Sequence, residues 1–134
     1  MEPRLFAYLS YRDAPRALDW LQALGFTLVR RQDDAQGALV HAELRLGEAV
    51  LMVGGFDADY DRAPLVGSST GQGLYLLVQD GQDVEAMHSA AVAAGGTSVI
   101  APQDTGWGAK RARVLDPEGL EWSFGTYQPG IADE

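Results

Sequence analysis

Residues 8–13 read YLSYRD and residues 75–80 read YLLVQD. Three of the six positions match, and each stretch runs into a helical pattern that ends at glycine, so the chain reads as one unit written twice. Working outward from the first copy, residues 5–10 (LFAYLS) read as a strand. Asp13 stands where a helix N-cap belongs, with Pro15 inside the first turn. Ala14, Ala17, Leu18, Leu21 and Leu24 recur at helical spacing on one stripe, and Gly25 falls at the expected left-handed C-cap. Strand-like segments follow at 27–31, 39–46 and 49–53, separated by turn residues Asp33, Asp34, Gly37 and then Gly47-Glu48. In 39–46, Val40, Ala42, Leu44 and Leu46 alternate with Leu39, His41, Glu43 and Arg45. That alternation predicts an oily face under a helix and a mostly polar face opposite.

The second copy repeats the order. Residues 74–79 read as a strand, Asp80 to Asp83 offer helix caps, and Val84, Met87, Ala91 and Ala94 form the next stripe before Gly95-Gly96. Strands are predicted at 97–101, 110–115 and 121–126. Asp116-Pro117-Glu118-Gly119 joins the last two, with proline second and glycine fourth as a β-turn favours. The expected fold is one α+β domain made of two tandem βαβββ modules, at about 4–54 and 73–128. The stretch 55–72 is rich in Gly, Asp and Ser, contains Pro64 and reads as a linker long enough to serve as a lid. Residues 130–134 read as a frayed acidic tail.

Composition narrows the function. A formal net charge of -9 opposes binding to phosphate backbones and anionic membranes, and the basic residues form no run. No stretch approaches the roughly 20 apolar residues of a membrane span. The absence of cysteine removes disulfides, thiolate metal sites and cysteine nucleophiles, and suits the reducing cytoplasm. The loop DTGWG (104–108) lacks the Gly-Lys-Ser/Thr ending of a phosphate loop, and no nucleophile elbow or Ser-His-Asp order is present.

Three stretches carry a family resemblance: YLSYRDAPRALDWLQALGF (8–26), HAELRLGEAVLMVGG (41–55) and DTGWGAKRARVLDPEGLEWSFGTY (104–127). They are similar to the opening strand-helix, the first-module hairpin and the terminal hairpin of the glyoxalase/bleomycin-resistance/extradiol-dioxygenase (vicinal oxygen chelate) superfamily. The resemblance implies that the two mixed sheets form a curved open cup, with helices on the convex side and ligands on the concave side. In metal-dependent members, the first and last strands of each module supply His, Glu or Gln ligands to a divalent cation. Carried onto this chain, those positions are Phe6, Met52, Gly73 and Ser123. Phe and Gly have no donor atom, Met is a soft thioether and Ser is a poor ligand unless deprotonated. No metal and no other cofactor is therefore expected.

The cup positions define the site expectations. Phe6, Tyr8 and Tyr75 line the floor by strand parity, while Phe56, Tyr60 and Trp107 rim it. The expected ligand-binding set is Phe6, Tyr8, Met52, Tyr75, Trp107, Arg111 and Ser123. His41, Glu43 and Glu121 are the acid-base candidates, with Tyr8 beside them. The structural alternative makes them a polar strand face, with Glu121 solvated or paired to Arg111 or Arg113. His88 reads as a helix-boundary residue with no role. Three functions stay open: a metal-free binder of a small aromatic or cationic molecule, a lyase or isomerase with or without a divalent metal, and a partner-binding or structural module. A homodimer is expected in each case.

Overall fold

The computed structural model describes residues 1–55, 72–106 and 108–131. The chain separates into two compact units, Met1–Ala63 and Pro64–Glu134. The first holds β1 (Ala7–Ser10), α1 (Ala14–Ala23), β2 (Thr27–Asp33), β3 (Leu39–Leu46) and β4 (Ala49–Gly54). The second holds β5 (Gly73–Leu77), α2 (Gly81–Ala93), β6 (Thr97–Asp104), β7 (Lys110–Leu115) and β8 (Glu121–Gly125). The sheets run β1-β4-β3-β2 and β5-β8-β7-β6, so each unit has the same strand order. In each, the first strand lies parallel to the last and the other pairs are antiparallel. This is the duplicated βαβββ, α+β arrangement expected from the repeated sequence.

Local chemistry sets the helix ends. The Asp13 carboxylate accepts the backbone N–H of Arg16, with proline in the first turn. Asp80 and Asp83 form a reciprocal capping box at the start of α2. Gly25 and Gly95 leave the two helices at φ of 114° and 111°, a region that costs a residue with Cβ more than glycine. Among the described residues no helix is long and apolar enough to cross a membrane.

Each helix covers one face of its own sheet. In the first unit Ala14, Ala17, Leu18, Trp20 and Leu21 of α1 are buried together with Ala42, Leu44, Leu51 and Val53 of the sheet. In the second, Val84, Met87 and Ala91 of α2 are buried with Ala112, Val114, Trp122 and Phe124. His88 adds a tie that its boundary position did not suggest: its Nε2 lies 2.8 Å from the Ser98 hydroxyl, joining α2 to β6.

One expected alternation fails. Leu39 is buried and Val40 is 50% exposed, the reverse of the strict pattern. Gln32 pairs with His41 while Asp33 pairs with Leu39, which leaves Val40 as the extra residue of a bulge. One inserted residue reverses strand parity beyond it and turns Leu39 toward the core. Similar register shifts on β2 and β6 leave Val29 and Val99 unpaired and exposed at 60% and 50%. Each lies on the outermost strand of its four-stranded sheet, where a bulge discourages further strand pairing.

Candidate functional site

With one sheet face of each unit covered by its helix, the opposite face carries most of the expected site residues. In the first unit, Tyr8 pairs with Met52, Met52 with Glu43 and Glu43 with Arg30. Residues paired across neighbouring strands point to the same side, so these four form one rung on the face turned away from α1. His41 lies two residues from Glu43 on that side, with its Nε2 2.7 Å from the Glu43 carboxylate. The pair is partly buried, and each partner limits the other's freedom to swing. A Cβ at Gly54 would lie 3.4 Å from the Tyr8 hydroxyl and 3.1 Å from the Val40 carbonyl. The ring of Tyr8 thus reaches toward a position kept bare.

The second unit repeats this layout with different polar residues. Tyr75 pairs with Ser123, and Ser123 with Arg113. Gly125 pairs with Arg111, and Arg111 with Gln103. The Tyr75 ring lies so close to Gly125 that a Cβ there would come within 3.0 Å of its Cε2. Its hydroxyl donates to the Tyr127 carbonyl, and burial pushes the phenol above its ordinary value. Tyr75 therefore remains a neutral donor at any ordinary pH. By register, Tyr8 corresponds to Tyr75, Met52 to Ser123, Glu43 to Arg113 and His41 to Arg111. The duplication keeps the tyrosine and exchanges an acid-imidazole pair for two guanidinium groups.

The structure distributes the expected residues between these two faces. Tyr8, Met52, His41 and Glu43 share the first, and Tyr75, Arg111, Ser123 and Glu121 share the second. Phe6 does not join a strand, because β1 begins at Ala7. It is 41% exposed, with the Arg4 guanidinium carbon 5.1 Å from its ring centroid. Trp107, Phe56 and Tyr60 lie outside the described residues, as does residues 56–71 of the linker read as a lid. Glu121 pairs with neither arginine: Arg113 Nε donates to the Ser123 hydroxyl at 2.9 Å, and Arg111 donates twice to the Gln103 side-chain oxygen. Sequence reading left Arg113 and Gln103 out of the site. Alternation of Arg111 and Arg113 with Ala112 and Val114 was the available signal for the arginine, whereas Gln103 follows only from cross-strand register.

The positions that the family resemblance assigns to a divalent cation do not fit one here. Phe6 and Gly73 offer no donor, and the Glu121 carboxylate occupies the space beside Gly73, 2.9 Å from where a Cβ would stand. Ser123 is engaged by Arg113, and Met52 is a soft donor. Among the described residues no three His, Asp or Glu side chains are grouped to hold a metal. A depression of about 700 Å³ lies elsewhere, at the start of α2, lined by Asp80, Gln82, Glu85, Asp104, Thr105 and Lys110 among others. Several of its polar groups are already engaged. Asp80 caps α2, and Lys110 Nζ donates to Glu85 at 2.6 Å, which holds the ammonium above its ordinary value.

Residues 6–124 match the family model of the Glyoxalase/Bleomycin resistance protein/Dioxygenase superfamily. An uncharacterized protein of Mycobacterium bovis is 31% identical over 130 residues, covering 93% of this chain and 84% of its own length. The crystal structure of TioX from Micromonospora sp. ML1 is 30% identical with a TM-score of 0.70, covering 97% of this chain and all of that one. A glyoxalase-related enzyme from Fulvimarina pelagi shares the fold at a TM-score of 0.72 and 19% identity, over 93% of this chain and 88% of its own.

Proposed function

Since the chain belongs to the Glyoxalase/Bleomycin resistance protein/Dioxygenase superfamily, we propose that it binds a small, flat organic molecule on the sheet faces turned away from its helices, without a resident metal. One observation carries this reading. At the same rung of both units a tyrosine, 48% and 41% exposed, extends toward a glycine on the neighbouring strand. Each bare glycine lets the ring lie low against the sheet, which offers a planar apolar surface with polar groups at its margin. Aromatic walls with a few placed polar groups suit a flat ligand. The donor set at Phe6, Met52, Gly73 and Ser123 supports binding without metal chemistry. The reading extends to a cytoplasmic homodimer, consistent with a cysteine-free chain and with exposed Tyr8, Tyr75 and Leu77.

A second reading rests on the His41–Glu43 pair. A carboxylate 2.7 Å from an imidazole orients it and can support proton abstraction from a bound substrate, as a lyase or isomerase requires. Thermal unfolding with a panel of flat cationic, neutral and anionic arenes tests binding. A ligand at about a hundredfold excess over its Kd stabilises the folded state by about 2.7 kcal/mol, which raises Tm by several degrees. A panel without any shift would remove the binding reading. Stoichiometric transition metal in protein purified without chelator would remove the metal-free part of it.

A further inference from the structure

We propose that Arg111 and Arg113 form a carboxylate-recognition site beside Tyr75, so that the ligand of this face is an arenecarboxylate; the inference rests on the binding function proposed above. The chain carries 19 acidic residues against 10 basic ones, so an arginine has ample choice of carboxylate partners. Yet these two, side by side on one face of β7, form no carboxylate ion pair among the described residues. Both are instead held by neutral oxygens. Arg113 Nε donates to Ser123 at 2.9 Å, which leaves its two terminal nitrogens for an incoming group. Arg111 donates through Nε and one terminal nitrogen to Gln103 Oε1, at 3.3 and 3.2 Å. Among the described residues the guanidinium groups are positioned by neutral oxygens and not by carboxylates.

A planar fork of N–H donors matches the two oxygens of a carboxylate, and a second guanidinium alongside adds to the attraction. The aromatic part of the ligand is supplied for by register. Ser123 lies between Tyr75 and Arg113, and the Tyr75 ring rests against Gly125, the neighbour of Arg111. Ring and guanidinium groups therefore lie within one rung of each other. The matching positions in the first unit, Glu43 and His41, bond to each other and offer no such pair of cationic donors. A net charge of -9 suggests a cationic ligand for the molecule as a whole; the local charge on this face selects the opposite sign.

Calorimetric titration of the full chain with 1-naphthoate, 1-naphthamide and inorganic phosphate tests the proposal. Naphthoate is expected to bind roughly tenfold or more tightly than its neutral amide, in line with a charge-assisted bidentate contact. Arg113→Met should abolish that preference while leaving naphthamide affinity within about twofold, and Arg113→Lys should restore part of it. An unchanged Tm for Arg113→Met would show that the variant is folded, and Arg111→Met gives the same readout if it is not. Equal affinity for naphthoate and naphthamide, or an undiminished preference in both Met variants, overturns the carboxylate site alone. Phosphate binding as tightly as naphthoate overturns the arene contribution. No binding of either arene overturns this proposal and the function on which it rests.

Discussion

Replacing Asp116 with alanine is expected to lower folding stability by about 3–5 kcal/mol, because three donors lose one acceptor group. Asp116 is 3% exposed at the turn between β7 and β8. Its Oδ1 accepts the backbone N–H groups of Glu118 and Leu120, each at 3.0 Å. Its Oδ2 accepts the indole N–H of Trp122 at 3.2 Å. Trp122 is fully buried at 0% exposure, so its indole N–H loses a buried acceptor when the carboxylate is gone. Asp116→Asn should cost less, about 1–2 kcal/mol, since the amide oxygen still serves the turn while its NH2 faces the indole donor. Urea denaturation of both variants checks the order. A loss below about 1 kcal/mol for Asp116→Ala would show that the turn does not depend on this side chain.

Gly125→Ala should cost about 1–3 kcal/mol by overpacking against Tyr75. The added Cβ would lie 2.5 Å from the Tyr75 hydroxyl oxygen and 3.1 Å from its Cζ. To make room, the ring must leave both Gly125 and the Tyr127 carbonyl that its hydroxyl now contacts. The glycine is required here by close approach, since its φ is not among the positive values. Truncating Tyr75 to serine should remove most of the penalty. A double-mutant cycle on thermal or urea unfolding is therefore expected to give a coupling above about 1 kcal/mol. Additive losses would mean that ring and glycine do not press on each other. Gly54→Ala should also be destabilising, because the new carbon would stand 3.1 Å from the Val40 carbonyl oxygen and 3.4 Å from the Tyr8 hydroxyl.

The duplicated architecture was legible because its signals are local. Asp13 and Asp80 as caps, Gly25 and Gly95 as exits, and the Asp116–Gly119 turn each depend on a few adjacent residues. The turn closes as expected, with the Gly119 N–H on the Asp116 carbonyl at 2.9 Å. What the sequence hid depends on partners far away in the chain. Val40 breaks alternation because of where β2 pairs, and the approach of Tyr75 to Gly125 joins residues 50 positions apart. The grip of Gln103 on Arg111 likewise exists only once β6 and β7 are in register. Strand parity did place Tyr8 and Tyr75 on the face opposite the helices. It extended the first strand back to Leu5 and Phe6, whereas β1 begins at Ala7.

The central claim is that the faces away from α1 and α2 receive a flat organic ligand. Titrating isotope-labelled protein with 1-naphthoate and following backbone amide shifts by NMR tests it directly. The account predicts saturable shifts at Tyr75, Arg111, Arg113, Ser123 and Gly125, with Ala86 on α2 unmoved. Shifts centred on Asp80, Glu85 and Lys110, around the depression at the start of α2, would contradict it.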